Sequence, residues 1–115
     1  MLKSFVMERN MWYWWGNGYV ILPVWHKHHG KTYYSKWDNM LDIDVHGWTT
    51  FAEFVKDCKN PAFISELKKL WYPWEIDDDD WIVWFDTAHW KDTLENCTEK
   101  YVIEETERFR NNLEQ

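Results

Sequence analysis

Residues 81–85 read Trp-Ile-Val-Trp-Phe, a run of large apolar side chains that passes at once into Asp86-Thr87-Ala88-His89-Trp90-Lys91-Asp92, where polar groups return. A near-continuous apolar run this short predicts a central strand. Polar residues at the exit of such a strand are where functional groups commonly collect. On its N-terminal side, residues 71–80 (WYPWEIDDDD) predict a surface loop, because Pro73 disfavours a continuing helix and four aspartates favour solvent. On its C-terminal side, Glu99 to Leu113 predict a helix. Thr98 is a suitable cap, and Val102, Thr106, Phe109 and Leu113 recur at helical spacing to give one apolar stripe.

Further from this centre, Gly16-Asn17-Gly18 reads as a turn leading into a strand at about Tyr19–Trp25, with Pro23 confining that end to a sheet edge or a bulge. Residues 26–39 read as a polar, turn-rich loop. Leu41 to Gly47 (LDIDVHG) alternates, with Leu41, Ile43 and Val45 on one face and Asp42, Asp44 and His46 on the other, the pattern of a half-buried strand. Thr49–Lys59 predicts an amphipathic helix from Phe51, Phe54, Val55 and Cys58, with Thr50 and Glu53 as a capping box. Pro61 starts a second short helix whose apolar face is Ala62, Phe63, Ile64, Leu67 and Leu70. The expected fold is α+β over a single domain, residues 1–115. A small, mostly antiparallel sheet of about three to five strands is covered by the C-terminal helix and one or two short helices.

Composition narrows the function. The 115 residues include 11 Trp, 6 Tyr and 6 Phe, more aromatic surface than one small core absorbs, so some of it is expected to line a pocket or an interface and to invite a homodimer. A formal charge of −7, from 20 acidic and 13 basic residues, argues against nucleic acid as a partner, because phosphate-backbone affinity rests on Lys and Arg. Apolar runs of about five residues fall far short of the roughly 20 a membrane helix needs, and Met1–Asn10 shows no export signal, so a soluble cytoplasmic protein without a membrane partner is expected. Cys58 and Cys97 lack any CxxC or Cys/His zinc spacing and read as structural thiols.

The sharpest chemical feature is histidine. His26, His28 and His29 share one loop, while His46 and His89 lie near Asp44, Asp86 and Asp92. Imidazoles and carboxylates so placed suit a polar ligand or acid–base chemistry, and they equally suit hydrogen bonds that hold loops. His26-x-His28-His29 lacks the aspartate of an HxHxDH metal loop, and HExxH is absent, so no metal is expected. Without a P-loop or GxGxxG, no nucleotide cofactor is expected; without GxSxG, covalent catalysis is not. Turn tryptophans, Trp48 among them, are candidates for stacking on a planar ligand, with Lys27 or Lys31 meeting phosphate.

Taken together, NGYVILP with His26 and His29-Gly30-Lys31, IDVHG with Thr50, WFDTAH with Asp92, and VIEETERF resemble a family of small phage- and prophage-encoded proteins. That family's patterns are of the kind GYVxLPxxHxxHGK, IDVHGGxT, GFDxAHxxD and VIxExExL. The likeness runs from about Asn17 to Leu113, and it places His26, His46, Asp86, His89 and Asp92 at the family's recurring polar positions. Trp48 and Trp84 stand where the patterns carry glycine. The resemblance implies an accessory protein of the host-cell cytoplasm, of an anti-defence kind. The leading expectation is non-catalytic sequestration of a small nucleotide-like immune signal by His26, His29, Lys31, His46, Trp48, Asp86, His89 and Asp92. The alternatives are docking on a basic host defence protein through acidic and aromatic surface, and a phosphodiesterase or other hydrolase using His46, Asp86 and His89.

Overall fold

The computed structural model describes residues 2–11, 14–31, 43, 45–46, 51–71, 76–87, 92–93 and 95–115. Among these residues, four strands form one antiparallel sheet: β1 (Lys3–Met11), β2 (Trp14–Leu22), β3 (Phe51–Phe54) and β4 (Trp81–Asp86), in the spatial order β1-β2-β4-β3. Two helices among them cover it, α1 (Pro61–Trp71) and α2 (Glu99–Glu114). The fold is therefore small α+β, with the C-terminal helix in the expected place.

β4 lies between β2 and β3, pairing Val83 with Val20 on one side and with Ala52 on the other. Its side chains alternate between two cores. Trp81, Val83 and Phe85 join Leu2, Val20, Leu22, Val102, Phe109 and Leu113 beneath α2. Ile82 joins Phe5, Tyr19, Ile21, Phe63 and Leu67 beneath α1. Because both faces are covered, the run at residues 81–85 needs no polar alternation, and Ile82, Val83 and Phe85 have no exposed surface.

The helix caps are built from the sequence. Asn60 Oδ1 accepts from the Ala62 and Phe63 N–H groups at 3.0 and 3.4 Å, with Pro61 in the first turn where its missing N–H is harmless. Thr98 Oγ1 accepts from the Tyr101 N–H at 3.2 Å to open α2. The stripe Val102, Thr106, Phe109 and Leu113 is buried as its spacing predicts.

One strand is new and three expectations are corrected. Residues 3–11 form a full strand that the sequence reading did not assign, paired to β2 from Lys3–Ile21 to Met11–Trp14. Gly16-Asn17-Gly18 is not a turn but the middle of β2, and that strand ends at Leu22 because Pro23 has no N–H to continue the ladder. Thr49–Lys59 is not a helix: Phe51–Phe54 is β3, followed by a 3-10 turn at Val55–Asp57. Here Phe51 stacks on Trp84 at 5.3 Å, Phe54 meets Trp81 edge-on at 4.8 Å, and pairing with β4 outweighs local helical spacing. Ile43, Val45 and His46 lie outside any strand, with His46 in a turn; Asp44 and Thr50 fall outside the described residues.

Gly18 fixes how closely α2 lies on the sheet. A Cβ there would run into Thr106 Oγ1 and the Phe85 ring, so the position is glycine for close approach and not for a left-handed backbone. Gly18→Ala is expected to destabilise the fold by about 1–3 kcal/mol, the usual range for overpacking. A fall in the urea midpoint with unchanged slope is the check.

Candidate functional site

The expected site residues separate into two groups at opposite ends of α2. The first lies where β1 begins, β2 ends and β4 begins. After Pro23 the chain turns three times, through bonds from His26 N–H to Pro23 O, His29 N–H to His26 O and Lys31 N–H to His28 O. Gly30 closes the last turn at a φ of 84°. This loop is tied to the end of α2. His26 Nε2 donates to Leu113 O at 2.8 Å, Lys27 Nζ donates to Gln115 O, and His26 Nδ1 accepts from the His28 N–H at 3.1 Å. His26 therefore satisfies a terminal helix carbonyl with one nitrogen and its own turn with the other. Burial holds its pKa below the ordinary value, although the bond to Leu113 opposes this.

The same loop walls a cleft of about 550 Å³ lined by Lys3, Trp25, His26, Asp80 and Glu114 among others. Trp25 is 77% exposed, a correction to its expected place within a strand. Asp80 is buried, which pushes its carboxyl up, while the bond from the Asp77 N–H pulls the other way. Glu114 Oε1 accepts from the Leu2 N–H at 2.6 Å. His29 turns away from the cleft's lining, donating from Nε2 to Asp79 O at 2.7 Å with its ring 5.8 Å from Phe54. Lys31 contributes its carbonyl, which accepts from Trp81 Nε1 at 2.8 Å. The acidic run is an ordered turn: Asp79 N–H donates to Asp77 Oδ1 at 2.8 Å, and Lys56 pairs with Asp79 at the surface.

The second group sits beside the first turns of α2. His46 Nε2 meets Asp92 Oδ1 at 2.9 Å, and His46 Nδ1 meets Tyr101 Oη at 2.6 Å. The carboxylate draws the ring proton to Nε2, so in the neutral ring Nδ1 accepts from the Tyr101 hydroxyl. The His46 N–H donates to Glu105 Oε2 at 2.7 Å, and Arg108 grips the same carboxylate through Nε and Nη2 at 2.6 and 2.7 Å. Cys97 is buried and its thiol donates to Asp92; burial first, then the Asp92 charge, pushes it up to about 12. The turn that delivers Cys97 is closed by the Cys97 N–H to Thr93 O at 2.8 Å and by reciprocal Thr93–Asn96 bonds. Burial also raises Tyr101 to about 12, so its hydroxyl keeps its proton.

Of the expected residues, His46 and Asp92 are thus brought into contact, while His26, His29 and Lys31 lie at the other end of the helix. Asp86 follows Phe85 in β4 and projects from the opposite face of the sheet, so it is not beside His46. Trp48 and His89 lie outside the described residues. Sequence reasoning missed Tyr101, Cys97, Glu105 and Arg108. The spacing of Tyr101, Glu105 and Arg108 along one helix face was the available signal for three of them. No protein family, curated protein or solved structure matches this chain. Among the described residues, no helix is long and apolar enough to cross a membrane.

His28 gives this region a pH dependence. Its Nδ1 is buried without a hydrogen-bond partner among the described residues, and burial, then Lys31, lowers its pKa to about 4. The unfolded chain, titrating near about 6.5, takes up the proton first. The His28 contribution is therefore complete above about pH 6.5 and is lost as the pH drops toward 4. Urea midpoints recorded between about pH 7 and pH 4.5 are expected to fall less for His28→Gln than for the parent protein.

Proposed function

We propose that this protein is a non-catalytic binder of a small nucleotide-like ligand, held in the cleft beneath Trp25. The observation that carries the reading is a large, exposed indole at the mouth of a cleft of ligand size whose lining includes one lysine and two carboxylates. An indole face left to water is a stacking platform, and stacking of a base on an aromatic side chain contributes about 1–3 kcal/mol. Lys3 is the cation suited to a phosphate, and Asp80 and Glu114 are acceptors suited to the N–H and O–H groups of a base or ribose. His26 supports this cleft as a wall, since both of its nitrogens are engaged by the backbone. In a phage accessory protein, holding such a ligand would withdraw a nucleotide signal from a host defence system.

Titration with a panel of mono-, oligo- and cyclic nucleotides, followed by calorimetry, tests the reading. At least one is expected to bind stoichiometrically, and Trp25→Ala is expected to weaken it about ten- to a hundredfold. Unchanged affinity in that variant removes the cleft from the function. The exposed carboxylates of Asp77 and Asp78, on an ordered turn, favour docking on a basic host protein as a second reading. That reading predicts a salt-sensitive complex lost on Asp78→Lys.

A further inference from the structure

His46, Asp92 and Cys97 offer one nitrogen, one carboxylate oxygen and one sulfur, and all three donor atoms lie within 4.8 Å of one another. We propose that this cluster is a binding site for a zinc-class divalent transition metal, with His46 Nε2, Asp92 and Cys97 Sγ as ligands and water in the fourth position. The site goes beyond the nucleotide reading and is independent of it. Tyr101 and Glu114 are separated by about 20 Å along α2 at 1.5 Å per residue, so the cluster and the cleft occupy opposite ends of the helix.

The donor set is of the right kind. Imidazole, carboxylate and thiolate are the ligands zinc takes, and three protein ligands plus water is the arrangement of an open tetrahedral site. Tetrahedral bonds of about 2.0–2.3 Å put donor atoms about 3.3–3.7 Å apart. The 2.9 Å between His46 Nε2 and Asp92 Oδ1 needs to open by only a few tenths of an ångström to admit the ion. The side chains of His46 and Asp92 are 18% and 7% exposed, and Cys97 is buried beside them.

A second observation concerns the far side of the imidazole. A metal-bound histidine characteristically has its other ring nitrogen fixed by a hydrogen bond. His46 has that bond at Nδ1, to Tyr101 Oη. Its backbone is fixed as well, by the Glu105 carboxylate that Arg108 clamps to α2. The ring packs 6.3 Å from Phe85 and 5.4 Å from Tyr101. The ligands come from two segments, the turn that holds His46 and the turn at residues 92–97, which the ion would join at the start of α2.

The protons balance in a simple way. The metal-free cluster holds one proton on the Cys97 thiol, donated to Asp92, and one on His46 Nε2. Metal displaces the thiol proton, which leaves to solvent. The ring proton moves from Nε2 to Nδ1, and the Tyr101 hydroxyl turns from donor to acceptor. Binding releases one proton in all.

The test uses the full chain stripped with a chelator and titrated with cobalt(II), which reports thiolate ligation through a near-ultraviolet charge-transfer band and tetrahedral geometry through its visible bands. One equivalent is expected to give both, zinc is expected to displace it, and the thermal midpoint is expected to rise with added zinc. Cys97→Ser should abolish the charge-transfer band and Cys58→Ser should keep it, since Cys58 is engaged elsewhere with Glu53. Tyr101→Phe, which leaves all three ligands in place, should weaken metal affinity about ten- to a hundredfold. Absence of a thiolate band in the parent protein overturns the proposal without recourse to any variant. So does a band that survives Cys97→Ser or is lost with Cys58→Ser.

Discussion

β2 and β4 pair in unbroken antiparallel register from Asn17–Asp86 to Leu22–Trp81, and both faces of that pair are covered by helices. Everything else is positioned from this contact. α2 can lie flat on it only because Gly18 leaves room for Thr106 beside the Phe85 ring. Once α2 is seated there, its two ends are fixed in space. Tyr101 and Glu105 at one end hold His46, and Leu113 and Glu114 at the other hold His26 and Leu2, the residue just before β1. The helix acts as a ruler between two polar regions that never meet.

That separation changes how the histidines are understood. In the sequence they read as one convergent set, but their bonds assign them different work. His26 closes the end of α2 and walls the cleft, and His29 bonds the carbonyl of the acidic turn. His28 is half-buried in the same loop with its Nδ1 covered, and it carries the cost of that desolvation as a lowered pKa. Among the described residues, His46 is the one of the four that makes side-chain bonds to ionisable groups, between a carboxylate and a phenol and close to a thiol. The proposed ligand cleft and the proposed metal site therefore lie at different ends of α2.

The elements with one dominant local signal were legible. Residues 81–85 had no alternation to misread, and α2 carried a cap and a complete stripe. The misreadings share a cause, which is that the deciding contact is remote in sequence. Gly16 and Gly18 look like turn glycines, yet a Cβ at one meets the backbone of β1 and at the other meets α2. Phe51 and Phe54 sit at helical spacing, yet each has an aromatic partner on β4. Trp25 has the side chain of a strand residue, yet β2 ends at Leu22, before Pro23. For the His46 cluster, the pairing with Asp92 was within reach of the sequence, because both stood out as polar residues near strand exits. Cys97 was not, since nothing in its spacing to other cysteines hints that a turn at residues 93–97 folds it under Asp92.

The central claim is this division of the polar residues into a cleft, proposed to take the ligand, and a separate cluster about 20 Å away along one helix. Nuclear magnetic resonance of isotopically labelled protein, with the nucleotide that binds tightest added stepwise, measures it directly. The account predicts shifts at the Trp25 indole N–H and the Lys3 and Leu2 amides, with the resonances of His46, Tyr101 and Cys97 unmoved. Shifts concentrated at His46 and Tyr101, with Trp25 unchanged, would contradict it and move the ligand to the other end of α2.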